Sequence, residues 1–324
     1  MKRLTHSQSV RLDVPFFATL VCLTTLGLAA IPASVSADSN DSTRSTNIAL
    51  NRSGSLLFNV NHEANSVTVF SIRGDRLSKL DEVPVGREPF CVAVEGGSAF
   101  VTNSASGTVS VVERSGGNFK VVKEIKVGTE PRGCVLTPDG RRLFVANHTA
   151  GTVSVINTRS NEVVDTIELG GNPMAIAVHK NRVFVTDFFA RLIPDPDGSG
   201  PLQGGQEGFD DGKQGIVHSF PVNDPDNITQ ITLSPLADSA FTANRKDFCN
   251  VSRDPDPINQ EFCPDRDTAD PNDPDILQDP QAVQPNQLHA ALICDGKLYL
   301  PHIGAQPEPP VFFNVNVQAL VHVV

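Results

Sequence analysis

The sequence contains no Cys-x-x-Cys-His run, which excludes covalent c-type haem attachment within its 324 residues. Zinc-type pairings of cysteine and histidine are absent as well. A Gly-x-Ser-x-Gly nucleophile elbow and a phosphate-cradling glycine loop are also missing, which removes the usual marks of a serine hydrolase or a nucleotide-binding domain. Past residue 37, no apolar run approaches the roughly 20 residues that a spanning helix needs. Positive charge is scarce: 26 Lys and Arg stand against 37 Asp and Glu, a net charge of −11. Acidity of this size repels phosphate backbones, so nucleic acid is not an expected partner and cations are the more natural ligands.

Residues 1–37 have a character of their own. Lys2, Arg3 and Arg11 lead into an apolar stretch from Val14 to about Ala30, followed by Pro32 and the small-residue run Ala33-Ser34-Val35-Ser36-Ala37. This reads as a secretory signal peptide cut after Ala37, with an uncleaved anchor as the alternative. Cys22, behind Thr19-Leu20-Val21, does not fit a lipoprotein cleavage box. Cleavage removes three basic residues and one acidic one, leaving 23 against 36 and a net charge near −13. The expected mature chain is exported, to the periplasm, the cell surface or beyond, and has no membrane span. Residues 38–46 read as a linker, and 47–324 as one large all-β domain.

What the chain does have is a period. Val85-Gly86-Arg87-Glu88-Pro89 recurs as Val127-Gly128-Thr129-Glu130-Pro131 and as Leu169-Gly170-Gly171-Asn172-Pro173, which spaces Gly86, Gly128 and Gly170 by 42 residues. A period of about 40 to 45 residues with strand-like content marks a β-propeller of four-stranded blades. In the third unit, 133–137 reads as a strand, Pro138-Asp139-Gly140 as a turn, 142–147 as a second strand and Ala150-Gly151 as another turn. The outer strands follow at 152–157 and 162–169. A unit of this kind buries both faces only by stacking on its neighbours. Phe58, Phe100, Phe144, Phe184, Phe241 and Tyr299 mark six second strands and are expected to pack between blades, giving five blades and most of a sixth. The final stretch, 318–324, matches a third strand, so the expectation is an incomplete, seven-bladed ring whose polypeptide continues; six short blades closing imperfectly is the alternative.

Phe100-Val101-Thr102-Asn103, Phe144-Val145-Ala146-Asn147, Thr137-Pro138-Asp139-Gly140 and Gly151-Thr152-Val153-Ser154-Val155-Ile156 resemble the Tyr-Val-Thr-Asn (YVTN) β-propeller repeat. The likeness is strong over about 47–189 and diluted through Phe241-Thr242-Ala243-Asn244 and Leu298-Tyr299-Leu300-Pro301-His302. It implies a propeller, often seven-bladed, of the exported or surface-layer-like kind, and no single reaction. Binding of a protein or small-molecule ligand is the leading expectation. The resemblance also allows the propeller portion of a redox enzyme joined to di-haem cytochrome domains, and fold analogy alone allows a lactonase-like hydrolase.

The period stretches at two insertions, about 190–215 and 245–285, whose Asp and Pro content argues against packed strands and for rim loops. Asp195, Asp197, Asp210 and Asp211 in the first could supply oxygens to Ca²⁺, although the twelve-residue calcium pattern is incomplete; a solvated acidic loop is the other reading. Cys249 and Cys263 bracket part of the second, and a disulfide there would close a loop of about 15 residues worth roughly 3 kcal/mol. Cys91 and Cys134 sit two and three residues after Pro89 and Pro131. That odd offset points them to opposite strand faces, so they read as small buried hydrophobes with no bridge. His62 and His148 follow the asparagine that ends the second strand, and His302 takes its place; all three read as turn residues bonded to backbone.

Overall fold

The computed structural model describes residues 43–44, 46–194, 213–236, 283–305 and 317–324, and among these every regular element is a strand. After a short β1 (Thr43–Arg44), a first sheet forms from β2 (Ile48–Leu50), β3 (Leu56–Asn61), β4 (Ser66–Arg73) and β5 (Arg76–Pro84). The second comprises β6 (Pro89–Glu95), β7 (Ser98–Asn103), β8 (Thr108–Ser115) and β9 (Asn118–Lys126). The third comprises β10 (Pro131–Leu136), β11 (Arg142–Asn147), β12 (Thr152–Asn157) and β13 (Glu162–Glu168). In the fourth, β14 (Pro173–His179) and β15 (Arg182–Asp187) are followed by β16 (Arg191–Leu192), β17 (Lys213–Pro221) and β18 (Thr229–Leu233). The fifth sets β19 (Gln284–Asn286) and β20 (Leu292–Cys294) along one side of β21 (Lys297–Ala305), with β22 (Val317–Val323) on the other. Every pairing is antiparallel, and the chain meanders outward through each sheet.

The sheets stack as propeller blades, and the residue pattern explains why. In the third, both faces of β11 and β12 are buried, while β13 is exposed at all but one position. Apolar residues on both faces of the middle strands demand a neighbour on each side. Four shared cores provide them, joining the first sheet to the second, the second to the third, the third to the fourth, and the fourth to the fifth. Phe58, Phe100 and Phe144 each face the following blade and are almost fully buried. Phe58 meets Phe119 edge-on at 5.7 Å, and Phe144 lies 6.0 Å from Phe220.

The blade count differs from the sequence expectation. The sheet of Tyr299 packs directly on the fourth, with Leu288, Ala291, Leu298 and Leu300 sharing one core with Ala175, Ala177 and Val217. No blade stands between them, so the described residues form five sheets rather than five and most of a sixth; Phe241 lies outside the described residues. The presumed linker is also partly structured: β1 pairs with the inner strand β14 of the fourth blade, and Thr46 O accepts from Val92 N of the second at 2.8 Å. The incoming chain thus crosses the axis before it begins the first blade. The first insertion is anchored by strand at both ends, since Arg191 and Leu192 pair with Gln214 and Lys213, and the second runs into strand at its far end, where Pro285 lies within β19. Pro285 is tolerated there because β19 is an edge strand with its other side unpaired among the described residues.

The period itself has a packing cause. A Cβ on Gly86 would stand 2.6 Å from the side chain of Asn103, and one on Gly128 would stand 2.7 Å from that of Asn147. Each asparagine is fully buried and donates from Nδ2 to two hydroxyls of the third strand: Asn103 to Thr108 and Ser110 at 3.0 and 2.8 Å, Asn147 to Thr152 and Ser154 at 2.9 Å each. Asn61 does the same with Ser66 and Thr68. In the fourth blade this role passes to Gly171, which abuts Asp187, while a Cβ on Gly170 would meet nothing within 4 Å. The 42-residue step therefore slips by one at its third occurrence.

Candidate functional site

The inner strands of the second, third and fourth blades carry an irregularity just after their leading proline. The register shifts between Pro89 and Cys91, between Pro131 and Cys134, and between Pro173 and Ile176. Bulges of this kind bend a strand and re-aim a side chain. The residues caught in these shifts include Phe90, Arg132, Gly133 and Met174, and all four line one cavity of about 430 Å³. Asn47 and His62 from the first blade and His289, between β19 and β20, complete its wall, so all five blades meet there. It is the axial mouth of the propeller. Its volume lies within the roughly 300 to 1,000 Å³ of small-molecule sites.

The polar groups of this cavity are held in place. His62 Nδ1 donates to Pro89 O at 3.1 Å, which fixes the tautomer and leaves Nε2 as the acceptor of the neutral ring. The same contact recurs in the third blade, where His148 Nδ1 donates to Pro173 O at 3.3 Å, and in the second, where Ser104 Oγ donates to Pro131 O at 2.9 Å. The expectation of backbone-bonded turn residues therefore holds for His62 and His148. Arg132 lies over the Phe90 ring at 4.8 Å and donates from Nε and Nη2 to Glu130 Oε1. Glu130 also accepts from Thr149; partial burial raises its pKa, but these hydrogen bonds and the Arg132 charge outweigh it, and the carboxyl sits below its ordinary value. Arg132 Nη1 makes no hydrogen bond among the described residues. The guanidinium is thus a braced donor at the wall of an open cavity.

No known family model matches the sequence, and no curated protein matches it. Among solved structures, the hydrazine synthase of Kuenenia stuttgartiensis aligns at 19% identity over 84% of this chain and 94% of its own, with a TM-score of 0.38. Dihydro-heme d1 dehydrogenase NirN aligns at 11% identity over 59% of this chain and 38% of its own, with a TM-score of 0.42. The periplasmic gluconolactonase of Pseudomonas aeruginosa aligns at 22% identity over 41% of this chain and 42% of its own, with a TM-score of 0.35. Likenesses this distant say nothing about chemistry.

Of the residues singled out in the sequence, Asp195, Asp197, Asp210 and Asp211 lie outside the described residues, as do Cys249 and Cys263. Among the described residues no group of three or more His, Cys, Asp or Glu is placed to hold a metal ion. His302 departs from the turn reading: it is a buried strand residue whose Nε2 lies 2.7 Å from His322 Nδ1. Phe90, Arg132 and Met174 escaped sequence reasoning because they differ in type from blade to blade. Their one common signal is position, immediately after the leading proline.

Proposed function

We propose that the chain is an exported β-propeller of the YVTN type that binds a small carboxylate- or phosphate-bearing molecule at its axial mouth. The observation that supports this is Arg132, stacked on Phe90 and braced by Glu130 at the cavity wall. A guanidinium with its stem and one edge fixed loses little freedom on meeting an oxyanion, and its planar fork matches carboxylate and phosphate geometry. His289 and Asn47 add donors around the same space. Among the described residues of the wall, none is a nucleophile hydrogen-bonded to a general base, and the redox-enzyme and lactone-hydrolase alternatives rest on none of them.

Titration calorimetry of the full-length chain with inorganic phosphate and with citrate tests this. Saturable heat is expected with at least one of them, weakened tenfold or more in Arg132→Gln, about 1.4 kcal/mol, and unchanged in Arg141→Gln, whose side chain is 79% exposed. Absence of saturable heat with either anion, or equal affinity in Arg132→Gln, would overturn the reading.

A further inference from the structure

Cys91 on β6 and Cys134 on β10 are 1% and 0% exposed, and both are free thiols in the structure. Their strands belong to adjacent blades. Cys91 pairs across its sheet with Thr102, one position before Asn103, whereas Cys134 pairs with Val145, two positions before Asn147. The two side chains therefore leave opposite faces of their own sheets. Because blades stack face against face, those opposite faces are the ones that meet, and both cysteines enter the core shared by the second and third blades. Cys91 Sγ lies 3.0 Å from Cys134 N and 3.2 Å from Cys134 O.

We propose that Cys91 and Cys134 form a disulfide that staples the second blade to the third. A disulfide joins Cα atoms roughly 4.4–6.8 Å apart, and a sulfur 3.0 Å from its partner's own backbone amide makes the two residues direct neighbours across the blade interface. The chemistry is thiol–disulfide exchange with a disulfide-bearing oxidant. One thiolate attacks the oxidant and expels its thiolate, and the second then displaces the remaining half from the mixed disulfide. In sum, the two cysteines lose two protons and two electrons, and the oxidant is reduced to two thiols. Burial is the main cause, and the neighbouring sulfur the second, that holds the Cys134 thiol well above its usual pKa in the folded chain. Exchange therefore belongs to the stage before the two blades close, when the thiols are still in water. Cys91 also lines the axial cavity, so the bridge would pin the strands that carry Phe90 and Arg132. The proposal stands apart from the ligand reading, and its test measures thiols alone.

The full-length chain is unfolded, reduced and refolded in glutathione buffers from fully reduced to strongly oxidised, then denatured, alkylated and mapped by mass spectrometry without reduction. The expected result is a Cys91–Cys134 linked peptide, lighter by two hydrogens than its halves, holding most of the Cys91 signal under oxidising conditions and vanishing on treatment with a dithiol. Cys91→Ser and Cys134→Ser should each abolish that species, but the wild-type map decides the matter whether or not those variants fold. Recovery of both residues as alkylated thiols after oxidative refolding, or of Cys91 linked to a different cysteine, would overturn the proposal.

Discussion

Acid should loosen the fifth blade through His302, and the effect can be sized. This ring is 2% exposed, stacks on His322 with centroids 4.9 Å apart, and shares a 2.7 Å contact from Nε2 to His322 Nδ1. Two ring nitrogens at that distance need one proton between them, so the pair is stable when both rings are neutral. Burial lowers the pKa of His302 to about 4; hydrogen bonding with the Ile303 backbone opposes the shift, and the charges of His322 and His289 add to it. In the unfolded chain the ring titrates near 6.5. Between these values the unfolded chain binds the extra proton and the folded one does not, so stability is complete above about 6.5 and is lost as pH falls towards 4. Linkage over that window puts the loss at about 2 kcal/mol at pH 5 relative to pH 8, and at roughly 3 kcal/mol in the limit. The assay is urea unfolding of the wild type and of His302→Asn, which supplies the residue the first three blades use, at pH 8 and pH 5. His218 also titrates below its ordinary value, chiefly through burial, but does so in both proteins and drops out of the difference. Parallel stability curves for the two chains would refute the reasoning.

Gly86→Ala and Gly128→Ala push a methyl into a fully buried asparagine, and each should cost about 1 to 3 kcal/mol in urea unfolding, whereas Gly97→Ala, with nothing within 4 Å of its Cβ, should leave the midpoint unmoved. Phe144→Ala empties the core shared by the third and fourth blades and should cost about 3 to 5 kcal/mol by the same measurement. If Cys91 and Cys134, separated by 43 positions, are bridged, the chain-entropy model assigns the oxidised form about 4 kcal/mol over the reduced one; coincident guanidinium midpoints for the two forms would contradict that.

The first three blades were legible because their sequence repeats the physics. Arg142–Asn147 and Thr152–Asn157 are strands over the predicted residues, and Gly140, at φ +69°, forms the predicted turn by donating from its amide to Thr137 O at 2.8 Å. Bulges were not legible. Strand pairing shifts register at Val69/Phe70, Val111/Val112 and Val155/Ile156, which leaves Leu80, Val122 and Val164 unpaired and 46%, 43% and 58% exposed. An apolar residue in an outer strand looks like core until the extra residue in its ladder is known. The cavity was hidden for the same reason, since its wall is made of bulge residues that no alternation pattern assigns to either face. For the cysteines, parity assigned the faces correctly, and both are buried and free. Opposite faces imply separation within one sheet, but between stacked blades they imply contact.

The fourth blade shows why the repeat had to break where it did. Asp187 stands where the first three blades place an asparagine, and His218 stands where Ser110 and Ser154 accept from it. An asparagine amide can donate to two hydroxyls, whereas an ionised carboxylate can only accept. Asp187 accordingly accepts from Asn172 N at 2.7 Å and pairs with Arg191, while its side chain is only 2% exposed. Asp187 is the buried member of this pair, Arg191 being 35% exposed, and removing the arginine would strand the carboxylate's charge. Arg191 belongs to the first two-residue strand of the insertion, so that segment is not an appendage laid on a finished blade. The carboxylate requires the arginine, the arginine reaches it from β16, and β16 is held there by pairing with the start of β17. Gly171 leaves the space into which both side chains fit, with an added Cβ only 2.1 Å from the guanidinium and 2.3 Å from the carboxylate. The slip of the glycine by one position, the change from asparagine to aspartate and the opening of the insertion are thus three parts of one substitution, in which a neutral hydrogen-bond triad is exchanged for a buried carboxylate paired with an arginine from the insertion.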